Sequence, residues 1–153
     1  MPPVLFLDMD GVVLSGQEMW RTHNNRYVPL EKIALVRSVC EQTGAVVTVS
    51  STWRYSDETA DLLRFHDIPL HSDWRTPFPK QTGNVIAGAT RGSEIAKWLA
   101  RHPEVTNYAI IDDDSDMLPE QKHRFVQTSF ETGIEQQHAD MLVTLLKSAE
   151  GPK

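Results

Sequence analysis

Short apolar runs closed by polar clusters recur along the chain. Val4-Leu5-Phe6-Leu7 leads into Asp8-Met9-Asp10-Gly11-Val12, Ala45 to Val49 leads into Ser50-Ser51-Thr52-Trp53-Arg54, and Tyr108 to Ile111 leads into Asp112-Asp113-Asp114-Ser115-Asp116. Runs this short, apolar on both faces, are expected of parallel strands covered on each side. Between them the period changes to that of helices. From Pro29 to Gly44 the residues Ile33, Val36, Val39 and Cys40 fall at spacings of three and four, with proline near the start and glycine past the end, which predicts an amphipathic helix. Ser56 is placed to cap a helix over Asp57–His66, with Leu62, Leu63 and Phe65 available for packing. Thr90 offers an N-cap for Arg91–Ala100, whose inward stripe is Ile95, Trp98 and Leu99. Ile134–Ala149, with Ala139, Leu142, Leu145 and Leu146, reads as a closing helix. Two weaker strands are expected, an edge strand at Ile68-Pro69-Leu70-His71 and a last strand at Arg124–Thr128. Residues 72–90, with Pro77, Pro79, Gly83 and Gly88, read as a long loop.

Strands alternating with helices predict an α/β fold, a three-layer Rossmann-like parallel sheet with helices on both faces. The strand C-termini then open on one edge, where open α/β sheets bind ligands. Asp8/Asp10, Ser50/Ser51 and Asp112/Asp113 are thereby expected at one cleft, although long stretches of chain separate them. The length of 153 residues fits one domain, 1–153.

Composition narrows the function classes. The chain is 40% hydrophobic and 24% charged, ordinary values for a soluble globular protein, and has no apolar stretch near the length of a membrane span. Its start lacks a basic leader, so a cytoplasmic protein is expected. Cys40 is the only cysteine; its place in a helical apolar pattern suggests packing rather than a catalytic thiol. The net charge of −6 argues against stable coating of duplex nucleic acid, which rests on many lysine and arginine contacts. Much of the acidity is local, in Asp8, Asp10, Asp112, Asp113, Asp114, Asp116 and Glu120.

Those carboxylates carry the candidate chemistry. Two of them 4 Å apart repel by about 1 kcal/mol in water and by more in a protein, so such a pair asks for a cation or a shared proton. An oxygen cage suits Mg²⁺, with Ca²⁺ as a purely structural alternative. Zinc is disfavoured, because His23, His66, His71, His102, His123 and His138 show no paired metal spacing. With a metal in place one carboxylate can attack phosphorus while a second works as acid and then as base for water. Ser50 can hydrogen-bond a phosphoryl oxygen, and a cation must balance the developing charge. Arg91, in the first turn of a helix, is the first candidate for that cation, followed by Lys97 and Lys80.

Asp8-Met9-Asp10-Gly11-Val12 resembles the first motif of the haloacid-dehalogenase (HAD) superfamily, Ser50 its second, and Asp112-Asp113 after a hydrophobic strand its fourth. The likeness spans residues 4–118 in the right order. It is greatest to the capless HAD modules of nucleic-acid repair, whose second motif runs into Trp-Arg, as Trp53-Arg54 does here, and whose third region resembles Arg91-Gly92-Ser93-Glu94-Ile95. The resemblance implies Asp8 as nucleophile and metal ligand, Asp10 as acid/base that also lends a backbone carbonyl to Mg²⁺, Asp113 as a direct or water-mediated ligand and Asp112 as a supporting one. The third motif of the family is usually lysine; an arginine at 91 departs from it but can hold phosphate in bidentate fashion. Asp114 is an additional carboxylate, and it or Asp116 is a candidate for an outer-shell role.

Segments 12–29 and 55–90 are each too short for a large cap, so the cleft is expected to be open. Ser51, Arg54 and Gly11 are candidate substrate contacts, Arg54 either reading a phosphate or bracing the strand end. Trp20 to Tyr27 is a candidate flap, with Trp20 and Tyr27 for base stacking and Arg21 or Arg26 for a second phosphate, or else simple packing. The expected function is Mg²⁺-dependent hydrolysis of phosphomonoesters through an aspartyl-phosphate on Asp8, with nucleic-acid ends or nucleotides as candidate substrates. The alternatives are a phosphoprotein phosphatase and a catalytically silent module that binds metal or phosphate.

Overall fold

The structure, a computed structural model, describes residues 1–16, 28–77 and 90–147. The candidate flap from Trp20 to Tyr27, and Lys80, Gly83 and Gly88, lie outside the described residues. The five strands are β1 (Val4–Leu7), β2 (Val46–Val49), β3 (Leu70–Arg75), β4 (Tyr108–Asp112) and β5 (Phe125–Gln127). They form one parallel sheet in the order β3-β2-β1-β4-β5. The described helices are α1 (Leu30–Thr43), α2 (Glu58–Phe65), α3 (Arg91–Ala100) and α4 (Gln136–Lys147), joined by 3-10 turns at Thr52–Tyr55 and Pro119–Arg124.

Alternation along the strands divides the core in two. Leu5, Leu7, Val47, Val49, Ala109 and Ile111 pack with α1 and α4 through Ile33, Val36, Val39, Ala139, Leu142 and Leu146. Val4, Phe6 and Ile110 pack on the other face with Ile95 and Trp98 of α3, the Phe6 and Trp98 rings meeting edge to face at 5.2 Å. The expected three layers are therefore present, and none of the described residues forms a cap.

Helix ends follow the signals in the sequence. Gly44 takes the left-handed conformation (φ 75°) and donates its N–H to the Cys40 carbonyl, closing α1. Thr90 and Ser93 form a reciprocal cap at the start of α3. Two expectations need correction, and one turn was not foreseen. The edge strand is longer and later than expected, so Ser72 to Arg75 belong to β3 rather than to a loop; its register against β2 shifts between Val47 and Val49, and its polar sequence reflects a half-buried edge. The 3-10 turn ahead of β5 was not signalled by any apolar period. Phe65 does not pack inward but is 80% exposed, because Leu63 and Ala60 already fill the inner face of α2.

Candidate active site

The ends of β1, β2 and β4 lie side by side, because β1 pairs in register with both neighbours: Leu7 stands opposite Val49 and opposite Ile111. The next residues outward are Asp8, Ser50 and Asp112. The Asp8 amide donates to the Ile111 carbonyl and the Ser50 amide to the Leu7 carbonyl, so the ladder carries one step past the strands and fixes these positions. By strand parity Asp8 and Asp112 follow Phe6 and Ile110 onto the α3 face. Arg91, the first residue of α3, is there: its guanidinium lies 3.4 Å from Asp8 Oδ1 and 4.0 Å from Asp112 Oδ2, and it donates to the Ser50 carbonyl.

Asp8, Asp112 and Asp113 present carboxylate oxygens that all lie within 4.8 Å of one another. Asp8 and Asp112 are almost fully buried. Burial, then the neighbouring Asp112 carboxylate, push Asp8 up to about 10, against the opposing pull of Arg91. Burial also pushes Asp112 up to about 6, while the Asp114 amide and Arg91 pull it down. One arginine does not offset this crowding, so the cluster favours a further cation or a retained proton on Asp8.

The donor set fits a hard divalent ion. Asp112 Oδ1 accepts the Asp114 amide at 2.9 Å, but Oδ2 is buried and accepts no hydrogen bond. An unsatisfied buried carboxylate oxygen beside two other carboxylates is the local chemistry that Mg²⁺ or Ca²⁺ would complete. Gly11 makes room for it. With φ at 84°, it approaches so closely that a Cβ there would sit 2.4 Å from Asp113 Cγ.

Family comparison agrees with this geometry. Residues 4–139 match the family described as the HAD domain in Swiss Army Knife RNA repair proteins. The chain belongs to this family. Among curated proteins and solved structures, none matches. Membership supports phosphohydrolase chemistry in general for this HAD domain. No described helix is long and apolar enough to cross a membrane.

The remaining candidates fall into three groups. Asp10 is half-buried and stands outside the carboxylate trio; its Oδ1 accepts the indole N–H of Trp53 at 3.0 Å. Ser50 Oγ is buried without a hydrogen-bond partner, as a hydroxyl kept for an incoming oxygen would be. Ser51 is occupied in capping the 3-10 turn through the Trp53 amide. Arg54, considered for reading a phosphate or for bracing the strand end, has its donors engaged within the fold. Its N–H groups donate to the carbonyls of Ser50, Ser51, Thr76 and Pro77 and to Glu94 Oε2 at 2.9 Å, which occupies the guanidinium in a buried cage. Lys97 is exposed on the last turn of α3, away from Arg91 by most of the helix, so it is not brought to the cleft. Asp114 is exposed and accepts the Ser115 amide, while Asp116 accepts the Arg91 amide and thus seats the helix start. Glu120 is exposed on the second 3-10 turn. Cys40 is buried, and burial raises its thiol to about 12, in keeping with a packing role.

Several contributors carried no signal in the sequence. Thr128, after β5, donates its hydroxyl to the Gly11 carbonyl and its amide to the Asp112 carbonyl, tying both acidic loops together. Gln121 donates to the Gly92 carbonyl and accepts the Leu118 amide, holding the start of α3 against the loop after β4. These are long-range polar contacts of single residues, for which neither period nor motif exists.

Proposed function

We propose that this protein is a Mg²⁺-dependent phosphatase that hydrolyses phosphomonoesters through an aspartyl-phosphate on Asp8, with phosphorylated nucleic-acid ends or nucleotides as substrates. The observation that carries the reading is the meeting of Asp8, Asp112 and Asp113 within 4.8 Å beneath the Arg91 guanidinium. Asp8 and Asp113 would hold the metal with Asp112 in support and the Asp10 carbonyl as a further donor; when bound, the ion supplies positive charge that ionises the carboxylates and neutralises phosphoryl oxygens.

The chain's own groups divide the remaining work. Asp8 attacks phosphorus in line with the leaving oxygen, forming a P–O bond to its carboxylate as the ester P–O bond breaks. Asp10 gives its proton to the leaving oxygen and then takes one from the water that cleaves the acyl phosphate, returning Asp8 and inorganic phosphate. Arg91 and the Ser50 hydroxyl stabilise the equatorial oxygens. Arg54 and Glu94 keep the end of β2 and the start of α3 at fixed separation.

The decisive experiment measures phosphate release with and without Mg²⁺ on 3′-phosphorylated oligonucleotides, nucleoside monophosphates, phosphopeptides and sugar phosphates. Release is expected with Mg²⁺, best on the nucleic-acid or nucleotide substrates, and lost in Asp8→Asn with the circular dichroism spectrum unchanged. A fully active Asp8→Asn protein refutes the mechanism, and metal binding without release from any substrate favours the silent module.

A further inference from the structure

The histidines show no metal spacing along the chain, yet the fold brings two of them together with two carboxylates. His71-Ser72-Asp73 begins near the start of β3, and His102-Pro103-Glu104 follows α3. His71, His102 and Glu104 offer ligand atoms within 4.8 Å of one another, and His102 Nε2 stands 3.2 Å from Asp73 Oδ2. The imidazole of His102 stacks on the buried Trp98 indole, with centroids 3.8 Å apart, and faces the His71 ring edge to face at 5.2 Å. Trp98 in turn donates its indole N–H to the Asp73 carbonyl. These rings are held both by packing and by hydrogen bonds at their nitrogen atoms.

The hydrogen-bond geometry sets one nitrogen of His102 against a carboxylate. His102 Nδ1 lies 2.7 Å from the Trp98 carbonyl, which can only accept, so Nδ1 carries the hydrogen. In the neutral ring Nε2 is then a lone pair, aimed at a carboxylate oxygen 3.2 Å away. That arrangement accommodates either a proton or a metal ion at Nε2. A histidine whose other nitrogen donates to a backbone carbonyl is also the usual state of a metal ligand, tautomer and ring plane both fixed. His71 Nδ1 accepts the Asp73 amide at 2.9 Å, so coordination by that ring exchanges this bond for the metal.

We propose that His102, Asp73, His71 and Glu104 form a second metal site, for a zinc-class transition ion, distinct from the carboxylate cluster. Two imidazoles with two carboxylates suit Zn²⁺ or Co²⁺ and not Mg²⁺, which takes oxygen donors. The ten-residue helix α3, about 15 Å long, separates His102 from Arg91. An ion there staples edge strand β3 to the C-terminal end of α3, the helix whose other end carries Arg91.

The test titrates the chelator-stripped full-length chain with Co²⁺ in excess Mg²⁺, following visible absorption and the paramagnetic shifts of the imidazole protons. Binding with nitrogen-ligand character is expected, retained in Asp113→Asn, and weakened roughly tenfold or more in His102→Gln and in Glu104→Gln. Glu104 is exposed, so its variant keeps the fold and isolates ligation from packing. Zn²⁺ should also raise the melting temperature of the wild type and not of His102→Gln. Co²⁺ binding that vanishes in Asp113→Asn but is untouched by the histidine and Glu104 variants overturns the proposal. So does the absence of binding, which leaves a His102–Asp73 ion pair instead.

Discussion

Trp53 buries its ring and donates to Asp10 Oδ1 at 3.0 Å, so one hydrogen bond orients the proposed acid/base. Trp53→Phe keeps an aromatic ring in place and removes that donor together with part of the buried indole. General-acid assistance is worth about a hundredfold or more and matters most for leaving groups that cannot depart as anions. The variant should therefore lose about tenfold in kcat on alkyl phosphates, much less on nitrophenyl phosphate, with KM little changed. An equal fall on both substrate types would mean that Trp53 only supports the fold. A second test concerns Gly11, whose positive φ and closeness to Asp113, where an added Cβ would sit 2.4 Å from Cγ, leave no space for a methyl group. Gly11→Ala should push Asp113 from its neighbours and weaken Mg²⁺ binding roughly tenfold or more, read by calorimetry. Unchanged affinity would remove Asp113 from the ligand set.

At the scale of elements, what the sequence made legible was whatever repeats or terminates. The buried strands β1, β2 and β4 are continuous apolar runs, and α1 and α3 announce themselves by period and caps, so the meeting of Asp8, Asp112 and Arg91 follows from topology alone. Edge strand β3 was legible only at its start because it is half-buried and polar; His71 fell in the expected strand, but reading Ser72 to Arg75 as loop concealed Asp73 beside His102. Arg54 shows the same limit in one side chain: proximity to Ser50 suggested phosphate, but only the surrounding carbonyls reveal that its donors are taken. That cage joins the end of β2, the end of β3 and α3 through Glu94. Removing one partner of a buried pair leaves the other uncompensated, so Arg54→Leu should cost about 3 kcal/mol or more in urea unfolding. A loss under about 1 kcal/mol would show that the cage is not a brace.

For the whole molecule, the crowded carboxylates link stability, pH and metal. Asp8, raised to about 10, and Asp112, raised to about 6, hold protons in the folded chain that the unfolded chain releases near pH 4. The unfolded state thus binds fewer protons above that pH, and the metal-free fold loses stability as pH rises, first through about 6 and then on toward 10. Each group contributes a slope of at most about 1.4 kcal/mol per pH unit. His71 and His138, lowered by burial, act oppositely, but only below their ordinary range near 6.5. The buried Cys40 thiol adds its own loss only above about 8.5, the ordinary thiol value. Between pH 6.5 and 8.5 Asp8 therefore dominates among these groups. In chelator the melting temperature should fall across that window; in Mg²⁺, which favours the ionised carboxylates, the fall should shrink and the gain from metal should widen with pH. Asp8→Asn carries no ionisable group at that position, so its melting curve in chelator should be nearly flat over the same window. Calorimetric scans of both proteins check this, and a Mg²⁺ gain equal at both ends of the window would mean that the ion does not draw its protons from this cluster.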